Sequence, residues 1–357
     1  MVTVRSVSAI VASRGWNISQ MDEYNAFLGG DLYEEVYIEL PQDFRRQRET
    51  KVMFKDFMTT SCSLRKKGED FVAVLIYVDD LLITGNSTQF ISETKVVPHQ
   101  QFKVKDLGDL KYFLGIEVLR SKSGILLNQR KYCLQLIFDL GLGGAKTVSI
   151  PIDLNQKFTS TEFDRHTRIH ADLSHHYHDR YYILQCKLSQ FMQEPKKSHW
   201  GATVRVVKYI KQEPGMRIFL CRSNGDSLTR FCDADWASCP NTRRSVTVYL
   251  IKFGDSLISW KSKKQHIVSR SSAEAEYRSL VAVTAEIVWL LGLFAEFGVI
   301  IKQHVNVYCD TKASLQFAVN PIFHERTKHI EIDCYFVLTR LNKRTHASFC
   351  GDEGSTC

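Results

Sequence analysis

The sequence predicts a mixed chain, part α/β and part α+β, in which two sheet-bearing regions flank a helical connection. Three observations lead there. Phe71-Val72-Ala73-Val74-Leu75-Ile76-Tyr77 runs apolar toward two adjacent acids, Asp79 and Asp80, and Leu81-Leu82-Ile83 resumes beyond them. That is the pattern of two strands meeting at a tight turn. Between Pro151 and about Gly215, Leu188-Ser189-Gln190-Phe191-Met192 and the stretch from Val204 to Lys211 read as amphipathic helices. From about Leu228 to Leu341 a separate alternation of strand, strand, helix, strand and helix begins.

Composition bounds the classes. A chain of 357 residues has room for two or three domains and ample core, and 44% apolar residues argue for a globular chain. The net charge of +8 is compatible with a polyanionic partner. The longest apolar run, Phe71 to Val78, is too short to span a bilayer, and the N-terminus has no signal-peptide pattern. The expectation is an intracellular protein without membrane association, in a cytoplasmic particle or the nucleus. Ten cysteines without a CxxC pair read as reduced thiols.

Taken in order, strand signals fall at Ile38 to Leu40 and Val72 to Tyr77, and a helix from Gln129 to Leu140 precedes a Gly-rich turn. Phe231-Cys232-Asp233 reads as a strand, and Ser271-Ser272-Ala273-Glu274-Ala275-Glu276 opens a long helix to about Phe297. Val305 to Asp310 is a further strand, and His329-Ile330-Glu331 lies at or near a last helix. Adjacent carboxylates such as Asp79 and Asp80 repel, so they stay ionised only in water or bridged by a cation. Alone, a pair of acids in a turn is most simply solvent-exposed, because Asp suits turns.

The neighbouring motifs change that reading. Tyr77-Val78-Asp79-Asp80 resembles the YxDD signature of reverse transcriptases, and the stretch through Gly85 resembles the copia-type LTR retrotransposon version. Gln20-Met21-Asp22-Glu23-Tyr24-Asn25-Ala26-Phe27-Leu28 resembles the family's other palm motif. Leu107 to Glu117, through Gly115, is similar to the stretch that grips the primer end. Three such motifs in one order within about a hundred residues are hard to obtain by chance. Asp233, Glu274 with Glu276, Asp310 and Glu331 resemble the acids of a copia-type RNase H.

The resemblance implies a partial reverse transcriptase palm and thumb over residues 1–150 and a connection region over 151–227. It implies an RNase H-like mixed-sheet domain over 228–341 and an irregular tail over 342–357. The implied activities are RNA-directed DNA polymerase and RNase H endonuclease. The implied partners are an RNA template, a DNA primer, an RNA–DNA hybrid and dNTPs; no oligomeric state follows. Asp22, Asp79 and Asp80 would be the catalytic metal ligands of the polymerase, with Phe27 selecting against a ribose 2′-hydroxyl and Tyr77 and Gly115 binding substrate. Asp233, Glu276 and Asp310 would be those of the nuclease, with Glu331 as fourth acid and Asp333 competing for that role. Glu276 is preferred because Glu274 lies two residues away and cannot face the site equally.

The chemistry accounts for acids gathered from separate elements. In-line phosphoryl transfer uses two ions roughly 3.5–4 Å apart, each needing hard oxygen ligands. Magnesium suits carboxylates, water and phosphate, with manganese as a substitute. Lys261, Lys263 and Lys264, beside Trp260, are candidate contacts to hybrid phosphates, although such runs are commonly solvated faces. The clusters Arg45 to Arg48 and Arg65 to Lys67, and the five histidines from His166 to His178, read more simply as surface than as sites. His324 and His329 are candidates for assisting product release.

Departures from the family pattern carry their own expectations. The fingers strands are expected to be missing, the segment between Arg48 and Phe71 is short, and residues 161–185 lose the family's wording. Val248 stands where a Gly is usual, which predicts a strained strand turn. A palm without a wall to position the dNTP predicts weak or absent polymerisation, because positioning contributes many orders of magnitude. The alternative expectation is a catalytically degenerate relic that at most binds nucleic acid.

Overall fold

The structure is a computed structural model describing residues 2–23, 37–39, 51–53, 61–67, 69–77, 80–101, 104–151, 158–159, 191, 193–222, 225–301 and 305–309. Two compact units divide the chain: Gly15–Lys111, and Met1–Arg14 together with Tyr112–Cys357.

The Gly15–Lys111 unit is built on a five-stranded sheet. In chain order its strands are β1 (Asn17–Glu23), β4 (Ser61–Lys67), β5 (Asp70–Tyr77), β6 (Asp80–Gly85) and β7 (Val104–Asp109), arranged β4-β5-β6-β1-β7. A separate two-stranded ribbon joins β2 (Tyr37–Glu39) to β3 (Lys51–Met53), so the strand expected at Ile38 forms. Helix α1 (Val2–Arg14) precedes β1, and α2 (Thr88–Gln101) follows β6. Met21, Val72, Ile83 and Val104 on the sheet bury against Phe90 and Ile91 of α2. Each such fully buried side chain stabilises the fold by roughly 1.5–3 kcal/mol.

The β5–β6 hairpin is tied at its open end by Asn86, which accepts from the Phe71 N–H at 2.8 Å and donates to the Glu69 carbonyl at 2.9 Å. Gly85 pairs with Val72 there, and a Cβ at Gly85 would run into the Phe71 carbonyl. Gly85→Ala is therefore expected to prise β5 from β6 and cost roughly 1–3 kcal/mol, as overpacking does. Urea unfolding of the full chain, followed by the fluorescence of Trp16 at the Phe71 ring, measures that loss.

The second unit contains two four-stranded sheets. One comprises β8 (Tyr112–Phe113), β9 (Ile116–Ser121), β10 (Gly124–Asn128) and β11 (Arg217–Cys221), ordered β11-β10-β9-β8. The β8–β9 turn is Leu114-Gly115, with φ of 48° and 79°. Positive φ at both central residues is the two-residue hairpin geometry that suits the twist of the strands. Helices α3 (Arg130–Asp139) and α4 (Lys197–Ile210) realise the helices expected around Gln129 and Val204. Of Leu188 to Met192, only Phe191 falls within the described residues, where it packs with Phe158 and Ala202.

The division differs from the boundary drawn at residue 150. Strands β8 to β10 and helix α3 belong with the later sequence because β10 pairs along its whole length with β11. Ladder hydrogen bonds across a long excursion outweigh nearness in sequence.

The other sheet is β12 (Leu228–Asp235), β13 (Val246–Phe253), β14 (Ser256–Lys264) and β15 (Asn306–Tyr308), in the order β14-β13-β12-β15. Its β12/β15 pair is parallel and the others are antiparallel. The first strand in chain order, β12, thus lies inside the sheet between β13 and β15. Helix α5 (Ser272–Glu296) covers one face, its Glu286 accepting from Tyr249 Oη at 3.2 Å and Ser259 Oγ at 3.0 Å. It is long and apolar enough to cross a membrane, yet Leu280, Val283, Ile287 and Leu290 are buried. Its N-terminus is capped by Ser271, whose side chain accepts from the Glu274 N–H.

Helix α1 packs on β14, β11 and β10 and is buried from Ser6 to Ser13. Arg5 lies 3.5 Å over the Trp260 ring, and Arg14 meets Asp226 at 2.6 Å. Its Val- and Ser-rich sequence is an indifferent helix former, so packing rather than propensity holds it. Val248 lies inside β13, paired with Asp233 on one side and Ser262 on the other, and its φ is not positive. The strained turn expected there is absent, because that position is regular strand. Residues 342–357 and the histidines from His166 to His178, together with His324 and His329, lie outside the described residues.

Candidate polymerase and nuclease sites

In the Gly15–Lys111 unit the sheet aligns a row of polar side chains across four strands. Tyr77 on β5 pairs with Asp80 on β6, Asp80 with Asp22 on β1, and Asp22 with Lys105 on β7. Directly opposed residues project from the same face with Cβ atoms about 4.5–5.5 Å apart. Asp22 and Asp80, both half-buried, are therefore like-charged cross-strand neighbours. Gln20, two residues before Asp22, donates from Nε2 to Asp80 Oδ1 at 2.7 Å and orients that carboxylate. The opposite face packs on α2, which fixes the register: a one-residue slip would send the acids into the core.

Such an oxygen-only pair suits a hard divalent cation, whose charge offsets the repulsion. Asp79 and Phe27 fall outside the described residues, and so does Val78. Tyr77 is half-buried in the row, and Gly115 serves the β8–β9 turn. Gln20 and Lys105 were missed by sequence reasoning. The signal for Gln20 was its alternation with Asp22, whereas Lys105 required the register of β7.

In the second unit, α5 crosses the end of β12. Ser279 donates to the Asp233 carbonyl at 2.7 Å, and Glu276 stands one helical turn before it. The Asp233 side chain accepts from the Ala234 N–H at 2.7 Å. Glu276 is only 5% exposed.

Glu274 is equally buried but otherwise engaged. Its Oε2 accepts from the Arg270 N–H at 2.8 Å, and its Oε1 receives both Nε and Nη2 of Arg278 at 3.2 and 3.0 Å. Asp310, Glu331 and Asp333 lie outside the described residues. Among the described residues no three His, Cys, Asp or Glu side chains converge as a metal site.

In sequence, Cys232 immediately precedes Asp233 and Cys309 immediately precedes Asp310. The Cys309 thiol by hydrogen bonding, and then burial, push the Cys232 thiol well above its usual range; Glu276 adds to this and Arg230 opposes it. Arg230 itself is wholly buried between β12 and α5. It donates to Thr284 Oγ1 at 3.3 Å, but its Nε and Nη2 find no acceptor among the described residues. Burial pushes its pKa down to about 10.

The three basic residues of β14 separate. Lys261 and Lys263 are exposed, whereas Lys264 is half-buried with Nζ 3.7 Å from Cys239 Sγ. Burial raises the Cys239 thiol, but hydrogen bonds from Thr242, the Lys264 charge and the Asn241 N–H together bring it below its usual value. Trp260 spends its ring face on Arg5, which removes that face from a partner.

Comparison with known proteins places these features in context. The reverse transcriptase (RNA-dependent DNA polymerase) family matches residues 54–154. Retrovirus-related Pol polyproteins from transposons RE2 and RE1 of Arabidopsis thaliana are each 34% identical over 94% of this chain. The chain spans 26% and 25% of their lengths. Among solved structures, LC11-RNase H1 isolated from compost is 12% identical, with 36% of this chain and 86% of that chain covered and a TM-score of 0.26.

Proposed function

The chain belongs to the copia-type retrotransposon Pol polyproteins, and from that premise we propose that it cleaves the RNA strand of RNA–DNA hybrids. The observation that carries this reading is the packing of α5 on β12, where Ser279 holds the Asp233 carbonyl one turn from the buried Glu276. Asp310, the residue after Cys309 beyond β15, and Glu331 or Asp333 would complete the set. Magnesium held there, or by Asp22, Asp79 and Asp80 in the polymerase row, would activate the attacking oxygen and neutralise the leaving one. Lys261 and Lys263 offer exposed charge for hybrid phosphates. In the other unit Gln20 orients Asp80, Lys105 adds a cation beside Asp22, and primer, template and dNTP are the matching substrates.

The test is cleavage of a labelled hybrid in magnesium by the full chain and by Asp310→Asn. Cleavage in the parent falling more than about 100-fold in the variant supports the reading, since even outer-shell ligands are typically worth 10–100-fold. Equal cleavage by both proteins, or none by either, overturns it. A second reading, a degenerate copy that binds nucleic acid without turnover, draws on Arg230, a buried guanidinium with two nitrogens that find no acceptor among the described residues.

A further inference from the structure

We propose that Cys232 and Cys309 form a redox modification site, which a hydroperoxide closes into a reversible disulfide between β12 and β15. The parallel register pairs Phe231 with Tyr308, whose rings stack with centroids 4.9 Å apart and planes 15° from parallel. One step further along both strands Cys232 stands beside Cys309, on the opposite face because side chains alternate. Both are buried, and the two thiols are hydrogen-bonded to each other. Cys232 Sγ also lies 3.9 Å from the Tyr308 carbonyl oxygen, so it is turned toward β15. Adjacent strands run about 4.8 Å apart. That lies inside the Cα separation of roughly 4.4–6.8 Å that a disulfide spans.

The steps balance with hydrogen peroxide as the oxidant. One sulfur attacks a peroxide oxygen; the O–O bond breaks, water leaves and a sulfenic acid forms. The second sulfur attacks the sulfenic sulfur, and its proton departs with the displaced hydroxyl as a second water. Two S–H bonds become one S–S bond, and the peroxide takes up the two electrons. A dithiol reverses the bond by exchange and leaves as its own disulfide. The contact between the thiols matters at the second step, because the resolving sulfur is already in place when the sulfenic acid forms. Asp233 and Asp310 directly follow the two cysteines, so the bond lies at the base of both nuclease acids. Closing it draws the Cβ atoms to about 3.5–4.5 Å, which pulls those strand ends together. A displacement of about 1 Å can cost on the order of 100-fold in rate. Only this consequence rests on the proposed nuclease function; the bond itself does not.

The test is treatment of the full chain with hydrogen peroxide, then alkylation, trypsin and mass spectrometry without reductant. Mildly alkaline buffer is used because Cys232 holds its proton above the usual thiol range. The expected product joins the peptide of residues 231–243 to that of residues 303–312. The first peptide also contains Cys239, so fragment ions must place the bond at Cys232. The oxidised chain is expected to melt roughly 5–10 °C higher, a shift that dithiothreitol removes. Cys309→Ala is expected to lose both the joined peptide and the shift.

Absence of the joined peptide from the folded parent overturns the proposal, as does its appearance only in the dimer band of a non-reducing gel. Neither result depends on a variant that folds. In hybrid cleavage the oxidised parent is expected to be about 100-fold slower, with recovery in dithiothreitol. Unimpaired cleavage by the fully oxidised chain overturns the link to the acids. A joined peptide in a chain that cleaves no hybrid, oxidised or reduced, leaves the disulfide standing while the nuclease reading falls.

Discussion

Arg230→Met is expected to raise the melting temperature of the chain by roughly 10 °C, at roughly 2–4 °C per kcal/mol for a unit of this size. The reason is a guanidinium 0% exposed in the strand β12, which donates to Thr284 while its Nε and Nη2 find no acceptor among the described residues. Burial pushes its pKa down to about 10, a penalty on the charged form on the order of a few kcal/mol. Exchanging a buried charge for an apolar side chain of similar length removes that penalty and keeps the volume filled.

The pH dependence follows from the same shift. The folded pKa lies below the unfolded one, so below about 10 the full penalty is present. As pH rises above about 10 the folded protein sheds the proton first and recovers stability. The gap in melting temperature between variant and parent should therefore stay constant up to about pH 10 and narrow only above it. Arg230→Lys, which keeps the charge, should not reproduce the gain. A Met variant melting at or below the parent would show that the charge is accommodated after all.

Exchanging the two glutamates of α5 one at a time separates chemistry from architecture. Glu274→Gln is expected to cost roughly 3 kcal/mol, because it breaks a mostly buried pair with Arg278 and weakens the acceptor for the Arg270 N–H. It also removes a negative charge from the first turn, where the helix dipole favours one. Cleavage per folded molecule should change little. Glu276→Gln is expected to do the reverse: cleavage falls more than about 100-fold while the melting temperature does not drop. Urea titrations and hybrid cleavage on the same preparations measure both. If Glu274→Gln were the one to lose cleavage, the assignment of Glu276 would fail.

Much of the architecture was legible from local pattern. The hairpin around Asp80, the helix opening at Ser271 and the strand before Cys309 all form where apolar runs and caps place them. These are short-range signals: alternation for strands, and a Ser three residues before a Glu for the helix start. Other features were not legible because their causes lie far along the chain. Helix α1 has no strong propensity and exists through burial against β14, β11 and β10. Strand β10 joins the later sequence only because β11 pairs with it.

From residues alone came the family, the identity of the candidate acids and the kind of cation they would suit. Carboxylates at motif spacing carry that information without coordinates. The tertiary structure alone decided which side chains stand beside those acids. It set Gln20 on Asp80, Lys105 opposite Asp22, Ser279 under Asp233 and Arg278 on Glu274. It also showed that Arg230 is buried. Residues far apart in sequence become neighbours through strand register and helix packing, and a charge becomes costly only when the fold removes the water around it.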